Sequence, residues 1–389
     1  MIKEIQIQNF KCFARQSIQC GGLTVFAGIN GVGKSTVIQA LLIFRQTVDK
    51  IRQFIVKDGQ YFNEKLNIEI KDSYGVNIGN SKDITSVLTD SDVIRIDIMF
   101  DNEIIQFSYL ASTEIPEPRI DFIVTDEILG SDFVRFSFSS IFAKTFHYLM
   151  AERIGPRDFQ LISGQESLNT GYKGEYTAYA LCRAVDIKSV YYNVEEAKCI
   201  KSSPMLFQKQ VEAWMDFIVP GVEIHPELFG DINLARVGMR KKASQTNYLN
   251  SVNMGFGITY VLPIVVSCLL AEKDSVVIIE NPEAHLHPKG QSKIGQFLAQ
   301  MAGSGIQIIL ETHSEHIING IRIGVLKKII NNADVAINFF NQDAGNQNPI
   351  VKSIQMNQDA DLSEWPNGFF DQEEYDLAEI FKLKRRKVD

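Results

Sequence analysis

The sequence has few cysteines, and none of them is spaced like a metal-binding or disulfide pair. There are five, an odd number, and no C-x-x-C motif occurs among Cys12, Cys20, Cys182, Cys199 and Cys268. Structural zinc sites and secreted disulfide scaffolds depend on such pairs. The cysteine usage therefore argues against both classes. It is typical of reduced thiols, so we expect a cytoplasmic protein.

Long apolar runs are missing as well. The longest, residues 260–271, is interrupted by Pro263, whereas a membrane-spanning helix needs about 20 apolar residues. Residues 1–10 alternate charged and apolar side chains and contain no apolar core of a secretion signal. We therefore expect neither a membrane association nor export. No sustained heptad is present either, which argues against a long coiled-coil arm.

The sequence also lacks an excess of positive charge. Lys and Arg number 39 and Asp and Glu number 47, a formal net charge of −8, so the chain as a whole does not attract nucleic acid. Contact with DNA or RNA would have to come from a local cluster. The best one comprises Arg236, Arg240, Lys241 and Lys242, although a solvated loop also explains it. The basic run at 382–387 is equally compatible with a frayed terminus.

The remaining composition is that of an ordinary folded protein of the α/β class. Hydrophobic residues make up 45% and charged residues 22%. Short apolar runs separated by turn residues predict antiparallel strands at Val93–Phe100, Ile104–Leu110 and Phe133–Ser139. After residue 255, helical and apolar strand patterns alternate. We divide the chain into five segments: 1–83, a β-rich insert at 84–145, a mixed and helical part at 146–254, an α/β part at 255–345, and a C-terminal segment at 346–389.

A phosphate-binding loop is predicted at Gly28–Ser35, which reads GINGVGKS and fits G-x-x-x-x-G-K-[ST]. It lies between a strand pattern at Leu23–Ala27 and a helical run from Lys34, as the motif requires. Glycines allow backbone N–H groups to surround phosphate oxygens at a helix N-terminus, Lys34 supplies charge to the terminal phosphates, and the Ser35 hydroxyl can bind Mg²⁺. The sequence thus predicts ATP and Mg²⁺ as cofactors, with contacts from Asn30, Gly31, Val32, Gly33, Lys34, Ser35 and Thr36.

Two further strand patterns end in polar groups that would meet this loop. Val276–Ile279 is apolar and is followed by Glu280, which we predict to hold Mg²⁺ beside the phosphates. Ile306–Leu310 is followed by Glu-Thr-His-Ser, in which His313 could contact a γ-phosphate or polarise water. A structural histidine is the alternative. Two nearby histidines, His285 and His287, could suggest a metal site, but the proline that follows favours a packing turn.

These motifs together resemble an ABC-type ATPase of the RecF/SMC/OLD group. Asn9-Phe-Lys-Cys-Phe13 is similar to the N-terminal element of that group, which implies that Asn9, Lys11 and Phe13 lie at the nucleotide. Residues 253–259 stand where the group has its signature loop, so Gly255 and Gly257 are expected to contact the ATP of a second subunit. The resemblance implies an ABC-type P-loop ATPase head with a mixed sheet, a β-rich subdomain and a helical signature subdomain. It also implies a homodimer or higher homo-oligomer formed through ATP.

Within the group, the chain is most similar to ATPase subunits of bacterial anti-phage defence systems of the Septu, PARIS and retron-associated kind. The similar segments are Tyr148–Arg157, Gly174–Tyr176, the E-N-P-E-A-H-L-H-P run from Glu280, and Trp365–Gln372. The resemblance implies a sensor or switch. Because no second catalytic constellation and no terminal nuclease module are evident, we expect any destructive activity in a separate effector, a nuclease or a toxin. A self-contained RecF-type repair ATPase and, less so, a transporter ATPase are the alternatives.

The chain departs from the group at two positions. The signature loop lacks the serine-glycine-glycine form, so backbone contacts from its glycines would replace the usual hydroxyl. Asn281 stands where a catalytic glutamate is usual, and a neutral amide cannot accept the proton of the attacking water. Either Glu283 serves as the base, or hydrolysis is slow and ATP binding is itself the signal. We favour slow hydrolysis.

Several other residues have a functional and a plain interpretation. Arg153 and Arg157 could reach phosphate or nucleic acid, or they could form surface salt bridges. An acidic cluster suggests a solvated helix face more than a metal site, and three aromatic residues near the C-terminus suggest a docking anchor for that segment. The acidic residues are Asp371, Glu373, Glu374 and Asp376, and the aromatic ones are Trp365, Phe369 and Phe370.

Overall fold

The computed structural model describes residues 1–58, 66–71, 74–101, 103–112, 116–123, 146–164, 168–186, 194–242, 247–250, 252, 255–342, 348–366 and 372–385. Some sequence predictions fall outside these residues. They are the strand Phe133–Ser139, Asn253 of the signature segment, the aromatic residues Phe369 and Phe370, the acidic Asp371 and the last residues of the basic run.

Sixteen strands and seven α-helices are described. The strands are β1 Ile2–Phe10, β2 Phe13–Gln19, β3 Leu23–Gly28, β4 Leu66–Glu69, β5 Val93–Phe100, β6 Ile104–Leu110, β7 Arg119–Ile123, β8 Phe146–Leu149, β9 Gln160–Leu161, β10 Val222–Phe229, β11 Leu234–Lys241, β12 Leu249–Asn250, β13 Val276–Glu280, β14 Gln307–Glu311, β15 Val335–Asn341 and β16 Ile350–Ile354. The helices are α1 Lys34–Asp58, α2 Thr177–Asp186, α3 Phe207–Ile218, α4 Phe256–Leu270, α5 Pro288–Gly303, α6 Glu315–Leu326 and α7 Gln372–Arg385.

A six-stranded sheet at the centre has the order β16-β15-β3-β14-β13-β8. Its strands run parallel except β16, which pairs antiparallel with β15. The strands β13 and β14 are apolar on both faces because both faces are covered, as is usual for parallel sheets. Since parallel strands end at the same edge, Gly28, Glu280 and Glu311 are brought to one side of the molecule. In the register, Glu280 is opposite Glu311 and Glu311 is opposite Phe26.

The second sheet is antiparallel, with the order β2-β1-β5-β6-β7-β4. Alternate residues of its strands are buried, and they form one apolar cluster with α1 and with one face of the central sheet, including Ile5, Val37, Ile98, Ile278 and Phe340. Helix α1 is therefore packed between two sheets. The predicted strands β5 and β6 are present with the expected bounds. Because β1 pairs with β5, this sheet continues across the segment boundary that we place after residue 83.

The other face of the central sheet is covered by helices α3 to α6, which form a second apolar cluster with residues such as Val277 and Leu310. Helix α3 spans Phe207–Ile218 and buries one face in this cluster. Helix α4 begins at Phe256, with Gly255 as its N-cap. Among the described residues, no helix combines the length and the apolar character that a membrane crossing requires.

A hairpin of β10 and β11 lies in the part of the chain that the sequence predicts only as mixed and polar. Its acidic and basic residues face each other across the strands, with Glu223 opposite Arg240 and Glu227 opposite Arg236. Cross-strand pairs of opposite charge stabilise such a hairpin by about 0.2–1 kcal/mol each. Because one face of the hairpin is polar, its strands show no clear apolar alternation. A prediction from hydrophobicity therefore misses both strands.

Candidate nucleotide site

The glycine-rich loop connects β3 to α1 and is shaped by glycines. Gly28, Gly31 and Gly33 have φ values of 127°, 78° and 104°, which L side chains rarely adopt. A Cβ atom on Gly28 would lie 2.0 Å from the carbonyl oxygen of Phe340, and one on Gly33 would lie 2.5 Å from the ring of Phe13. Gly28 and Gly33 are therefore restricted to glycine by both conformation and space, and Gly31 is restricted by conformation alone. The loop leads directly into the positive end of α1.

Lys34 is buried and folds back over this loop. Its Nζ donates hydrogen bonds to the carbonyl oxygens of Gly28 at 3.1 Å and Ile29 at 2.5 Å. Burial lowers the pKa of Lys34, and the nearby carboxylates of Glu311 and Glu283 oppose that shift. An ammonium group in this position can exchange neutral carbonyl acceptors for phosphate oxygens, which are stronger, charged acceptors.

Ser35 is hydrogen-bonded to Glu311, which the sequence motifs do not predict as a site residue. The Ser35 hydroxyl lies 2.9 Å from Oε2 and 3.2 Å from Oε1 of the carboxylate. Burial, together with repulsion from Glu280, raises the pKa of Glu311 to about 7. The feature that could have identified Glu311 is present in the sequence, because it ends an apolar strand in the same way as Glu280 does.

Glu280, the predicted magnesium ligand, lies one strand farther from the loop. Its Oε1 accepts a hydrogen bond from the Tyr148 hydroxyl at 2.8 Å, and its Oε2 accepts one from the Ala151 N–H at 3.1 Å. Burial raises the pKa of Glu280, and these two hydrogen bonds oppose the shift. The structure thus places two buried carboxylates, Glu280 and Glu311, side by side at this edge of the central sheet.

Asn281 adopts a left-handed backbone conformation, with φ of 45°. Its N–H donates to the carbonyl of Glu311 at 2.9 Å, while its side-chain Oδ1 is buried and has no hydrogen-bond partner among the described residues. Asparagine tolerates this conformation better than most residues, and glutamate tolerates it poorly. The backbone therefore gives a physical reason for asparagine at the position where the group usually has glutamate.

Glu283 and His313 are joined to each other beside the loop. Glu283 accepts hydrogen bonds from the Thr312 hydroxyl at 2.8 Å and from the His313 N–H at 2.7 Å. Burial and the charge of Lys34 lower the pKa of His313, while a hydrogen bond with the Gly28 backbone raises it. The imidazole is thus in contact with the phosphate-binding loop, and its contact with a γ-phosphate stays a prediction.

Arg153 is buried, in contrast to both interpretations offered by the sequence. Its guanidinium donates to the carbonyls of Met150 at 3.1 Å, Glu280 at 2.7 Å and Asn281 at 2.6 Å, and it lies 5.3 Å from the ring centre of Tyr260. Burial lowers its pKa to about 10, so it stays charged at neutral pH. The guanidinium of Arg153 is used for hydrogen bonds to main-chain carbonyls, and these bonds hold the turn after β13. It is available neither for a surface salt bridge nor for phosphate.

Only part of the N-terminal element, residues 9–13, lies beside the phosphate-binding loop. Asn9, predicted at the nucleotide, donates to the carbonyls of Ser91 at 2.5 Å and Val93 at 3.0 Å. Its Oδ1 accepts from the Ser86 N–H and the Thr89 hydroxyl. The side chain therefore holds residues 86–93, and a contact of Asn9 with the nucleotide stays a prediction.

Lys11 and Phe13, the other two residues of that element, lie closer to the loop. The Nζ of Lys11 donates to Gln39 on α1 at 2.7 Å, and the ring of Phe13 is buried against Gly33. Thr36, also predicted at the nucleotide, lies 3.8 Å from the sulfur of Cys12. The element fixes the position of the loop and the first turns of α1.

The two signature glycines have different environments. A Cβ on Gly255 would meet no atom within 4 Å, whereas one on Gly257 would lie 2.6 Å from the carbonyl oxygen of His285 in the same chain. Gly255 is exposed and precedes the exposed ring of Phe256. Gly255 is thus open to a second subunit, while Gly257 is packed against its own chain. The contact of both glycines with the ATP of a second subunit stays a prediction.

The two histidines after β13 have structural roles. His287 is the N-cap of α5, where its Nδ1 accepts from the Lys289 N–H at 3.3 Å, and the ring of His285 packs edge-on against Tyr260. Within the part of the chain that the structure describes, no three His, Cys, Asp or Glu residues gather as a metal centre. The helix cap and the ring contact are both compatible with the packing turn that the sequence favours.

Three of the four residues of the best basic cluster form ion pairs with acidic neighbours. Arg236 pairs with Glu227 at 2.8 Å and Arg240 with Glu223 at 2.6 Å. Lys242 pairs with Asp216 at 2.9 Å. Paired charges present little net field to a phosphate backbone, so this surface offers weak support for nucleic-acid binding.

The side chains described on the C-terminal helix α7 are exposed. Trp365, which precedes it, is 48% exposed and lies 6.0 Å from the Arg322 guanidinium. This is a partial contact of the kind expected from a docking anchor. The acidic residue described here, Asp376, is exposed on the helix, in agreement with a solvated face.

Comparisons with known families divide the chain into three matched regions. Residues 1–153 match the family described as AAA ATPase domain. Residues 186–319 match the family described as AAA domain, putative AbiEii toxin, Type IV TA system, and residues 330–380 match a family described as protein of unknown function (DUF3696). The comparison with curated proteins finds no match.

Solved structures with a similar fold are heads of SMC proteins. The structure titled as the SmcHead bound to the C-winged helix domain of ScpA is 13% identical, with a TM-score of 0.53 over 92% of this chain and 98% of that one. The SMC head domain from Thermotoga maritima is also 13% identical, with a TM-score of 0.43 over 91% and 99%. At this identity, the first similarity bears on the fold alone, and the fold is that of an ABC-type P-loop ATPase head.

The matched ATPase families, the loop and the fold agree with one another. Together they support an ATP-hydrolysing P-loop enzyme with the fold of an ABC-type ATPase head. The donors beside the loop also suit Mg²⁺, which prefers oxygen ligands, since the Ser35 hydroxyl and the Glu311 and Glu280 carboxylates are all oxygen donors.

Proposed function

We propose that this protein is a slowly hydrolysing, ATP-binding switch subunit that dimerises through ATP and controls a separate effector, a nuclease or a toxin, in bacterial anti-phage defence. One observation carries the proposal. The groups that would hold a nucleotide meet at one edge of the central sheet, yet the position after the acidic end of β13 holds Asn281 in a left-handed turn.

ATP binding follows from the groups at the loop. The Lys34 ammonium would exchange its carbonyl acceptors for phosphate oxygens, and the N-terminus of α1 adds further N–H donors. The Ser35 hydroxyl and a carboxylate would hold Mg²⁺, which neutralises phosphate charge when bound. His313, already at the Gly28 backbone, is placed to donate to the terminal phosphate.

Slow hydrolysis follows from the shortage of a general base. Asn281 has no basicity, so Glu283 is the remaining carboxylate of this turn. Both Glu283 oxygens already accept hydrogen bonds, although a carboxylate has about four acceptor sites in all. Glu283 could therefore bind water, although the Thr312 hydroxyl and the His313 N–H already occupy one acceptor site on each of its oxygens. A switch that persists in the ATP state fits this chemistry.

Dimerisation and effector control rest on the exposed end of α4 and on the matched families. Gly255 and Phe256 are exposed beside His285, so a second copy could reach this surface. The similar SMC head is described as bound to a domain of another protein, and one matched family is described in terms of a toxin–antitoxin system. The ion-paired basic cluster favours a protein effector over direct DNA binding.

The test measures mass and ATP turnover of the purified protein with and without the products of the neighbouring genes. We expect ATP to increase the mass measured by light scattering, turnover to be slow, and an effector encoded nearby to associate in the ATP state. Lys34→Ala is the control that should remain unchanged by ATP. A protein that stays monomeric with saturating ATP and hydrolyses it rapidly would contradict the proposal.

A further inference from the structure

The C-terminal helix α7 exposes large apolar side chains to solvent. Leu377, Ile380 and Leu383 are between 45% and 49% exposed, and Tyr375 and Phe381 are more exposed still. A helix of 14 residues is only marginally stable in water without packing, and removing leucine and isoleucine side chains from water is favourable. The helix therefore carries a surface that would gain stability from contact with another element.

Five residues of α7 share one face, which is centred on Ile380. At 3.6 residues per turn, the residues three and four positions before and after Ile380 lie within about 60° of it around the helix axis. They are Asp376, Leu377, Leu383 and Lys384, and the side chains of all five residues are exposed. We call these five residues the α7 face. It extends over about 12 Å of the helix, at 1.5 Å per residue.

The α7 face has the same pattern in both directions from Ile380, except that the sign of the charge is reversed. A leucine stands three residues away on each side, and a charged residue stands four away, acidic before Ile380 and basic after it. If two copies of the helix lie antiparallel about a two-fold axis at Ile380, Asp376 of each copy meets Lys384 of the other. Leu377 then meets Leu383 in the same way.

The charges of the α7 face also select the direction of the two helices. In a parallel pair, Asp376 would meet Asp376 and Lys384 would meet Lys384, and both contacts would be repulsive. An acidic start and a basic end also stabilise a single helix through its dipole. That effect gives no reason for exposed leucine and isoleucine side chains between the two charges, whereas a second copy explains the charges and the apolar residues together.

We propose that the α7 face is an interface between two copies of this chain, in which the helices pack antiparallel about Ile380. The contact uses no residue of the nucleotide site and needs no ATP, so it goes beyond the ATP-dependent dimer of the proposed function. Because the face is short, it buries less area than a standard interface, and we expect a dissociation constant on the order of 10 µM.

The experiment is sedimentation velocity of the full chain without nucleotide and in EDTA, over a range of protein concentrations. Ile380→Glu places two carboxylates opposite each other at the two-fold axis and should raise the dissociation constant by more than about tenfold. Ala378→Glu is the matched control, because it adds the same charge to the same helix about 160° away from Ile380. It should leave the dissociation constant within about twofold of the wild-type value.

Reversal of the charges tests the antiparallel direction. Asp376→Lys and Lys384→Asp should each raise the dissociation constant on the order of tenfold, because each creates a like-charged pair at two symmetric places. The double variant restores both pairs and should return to the wild-type constant. The helix dipole predicts the opposite order, since the double variant would then have the least stable helix.

The inference is overturned if the wild type stays monomeric at roughly 100 µM without nucleotide, or if Ile380→Glu associates as the wild type does. It is also overturned if Ala378→Glu weakens association as much as Ile380→Glu, or if the double reversal does not recover. Thermal unfolding checks that every variant is folded. Because ATP-dependent association is measured separately, the proposed function and this inference can fail independently.

Discussion

At the scale of single residues, the site depends on backbone conformations that few side chains accept. The loop glycines Gly28 and Gly33 combine positive φ with close contacts to neighbouring atoms, and Asn281 has a positive φ of 45°. A residue other than glycine, asparagine or aspartate at such positions costs roughly 1–2 kcal/mol. The residue types at the loop and at the turn after β13 therefore follow from the backbone as much as from the chemistry.

Lys34→Ala should abolish nucleotide binding. The ammonium group is the cation of the loop and is held over it by Gly28 and Ile29, so its removal leaves the phosphate charge without its main partner. Calorimetric titration with ATP checks this. Lys50→Ala, on the same helix but bonded to Asn67, should bind ATP normally, and undiminished affinity in Lys34→Ala would refute the loop assignment.

Asn281→Asp should raise ATP turnover without tightening ATP binding. Aspartate tolerates the left-handed turn and supplies the carboxylate that the wild type lacks, and a general base contributes roughly 10²–10⁴-fold. Asn281→Glu tests the backbone, since we expect it to lower the free energy of unfolding by about 1–2 kcal/mol. Steady-state rates and urea unfolding measure the two effects.

Glu283 is the alternative general base, and the variant Glu283→Gln tests whether it activates the attacking water. If Glu283 activates the water, Glu283→Gln should eliminate turnover and Asn281→Asp should add little. If it does not, the slow wild-type rate should survive Glu283→Gln. A fast wild-type rate that also survives this change would contradict both assignments.

At the scale of elements, the start of α4 has one face toward solvent and one toward its own chain. Gly257→Ala should destabilise the protein by about 1–3 kcal/mol, because the new Cβ would lie 2.6 Å from the His285 carbonyl. Gly255→Glu should leave folding and ATP binding intact but prevent ATP-dependent association, since its carboxylate would meet the triphosphate of a second subunit. Thermal unfolding and light scattering distinguish the two, and normal association of Gly255→Glu would disprove this interface.

The strand β8 contains a buried histidine that should make stability depend on pH. Burial lowers the pKa of His147 to about 4, and the charge of Lys198 adds to the shift. The unfolded chain binds a proton near the ordinary pKa of about 6.5 while the folded chain does not. Stability is therefore complete above about pH 6.5 and is lost as pH falls toward 4, by up to about 3 kcal/mol.

Urea unfolding at pH 7.5 and pH 5 measures this loss. His147→Leu removes the titrating group and also the Nε2 atom, which has no hydrogen-bond partner among the described residues. We expect the variant to lose less stability than the wild type between the two pH values. Equal losses would show that other groups cause the acid sensitivity.

At the scale of the whole molecule, the balance of charge disfavours direct reading of DNA. The net charge is −8, and the best basic cluster is ion-paired. We expect fluorescence anisotropy with a duplex to show only weak, salt-sensitive binding, with no further loss in Arg236→Ala or Arg240→Ala. Tight binding that disappears in Arg240→Ala would instead favour a repair ATPase of the RecF type.

Much of the architecture follows from the sequence alone. Apolar strands buried on both faces, the loop at Gly28–Ser35 and the helix from Lys34 determine an α/β ATPase head, because each pattern carries its own physical signature over a short stretch of chain. The strands Val93–Phe100 and Ile104–Leu110 are also read correctly. The hairpin of β10 and β11 is not, because its exposed faces carry paired charges in place of a clear apolar alternation.

The tertiary structure alone decides which side chains meet. Glu311 reaches Ser35 across 276 residues of sequence, because β14 pairs beside β3 and not because of any local pattern. Arg153 is buried against the end of β13, and Asn9 turns toward residues 86–93. Strand order and side-chain burial arise from contacts between distant segments. The motifs therefore identify the chemistry, while the packing assigns each residue its place in it.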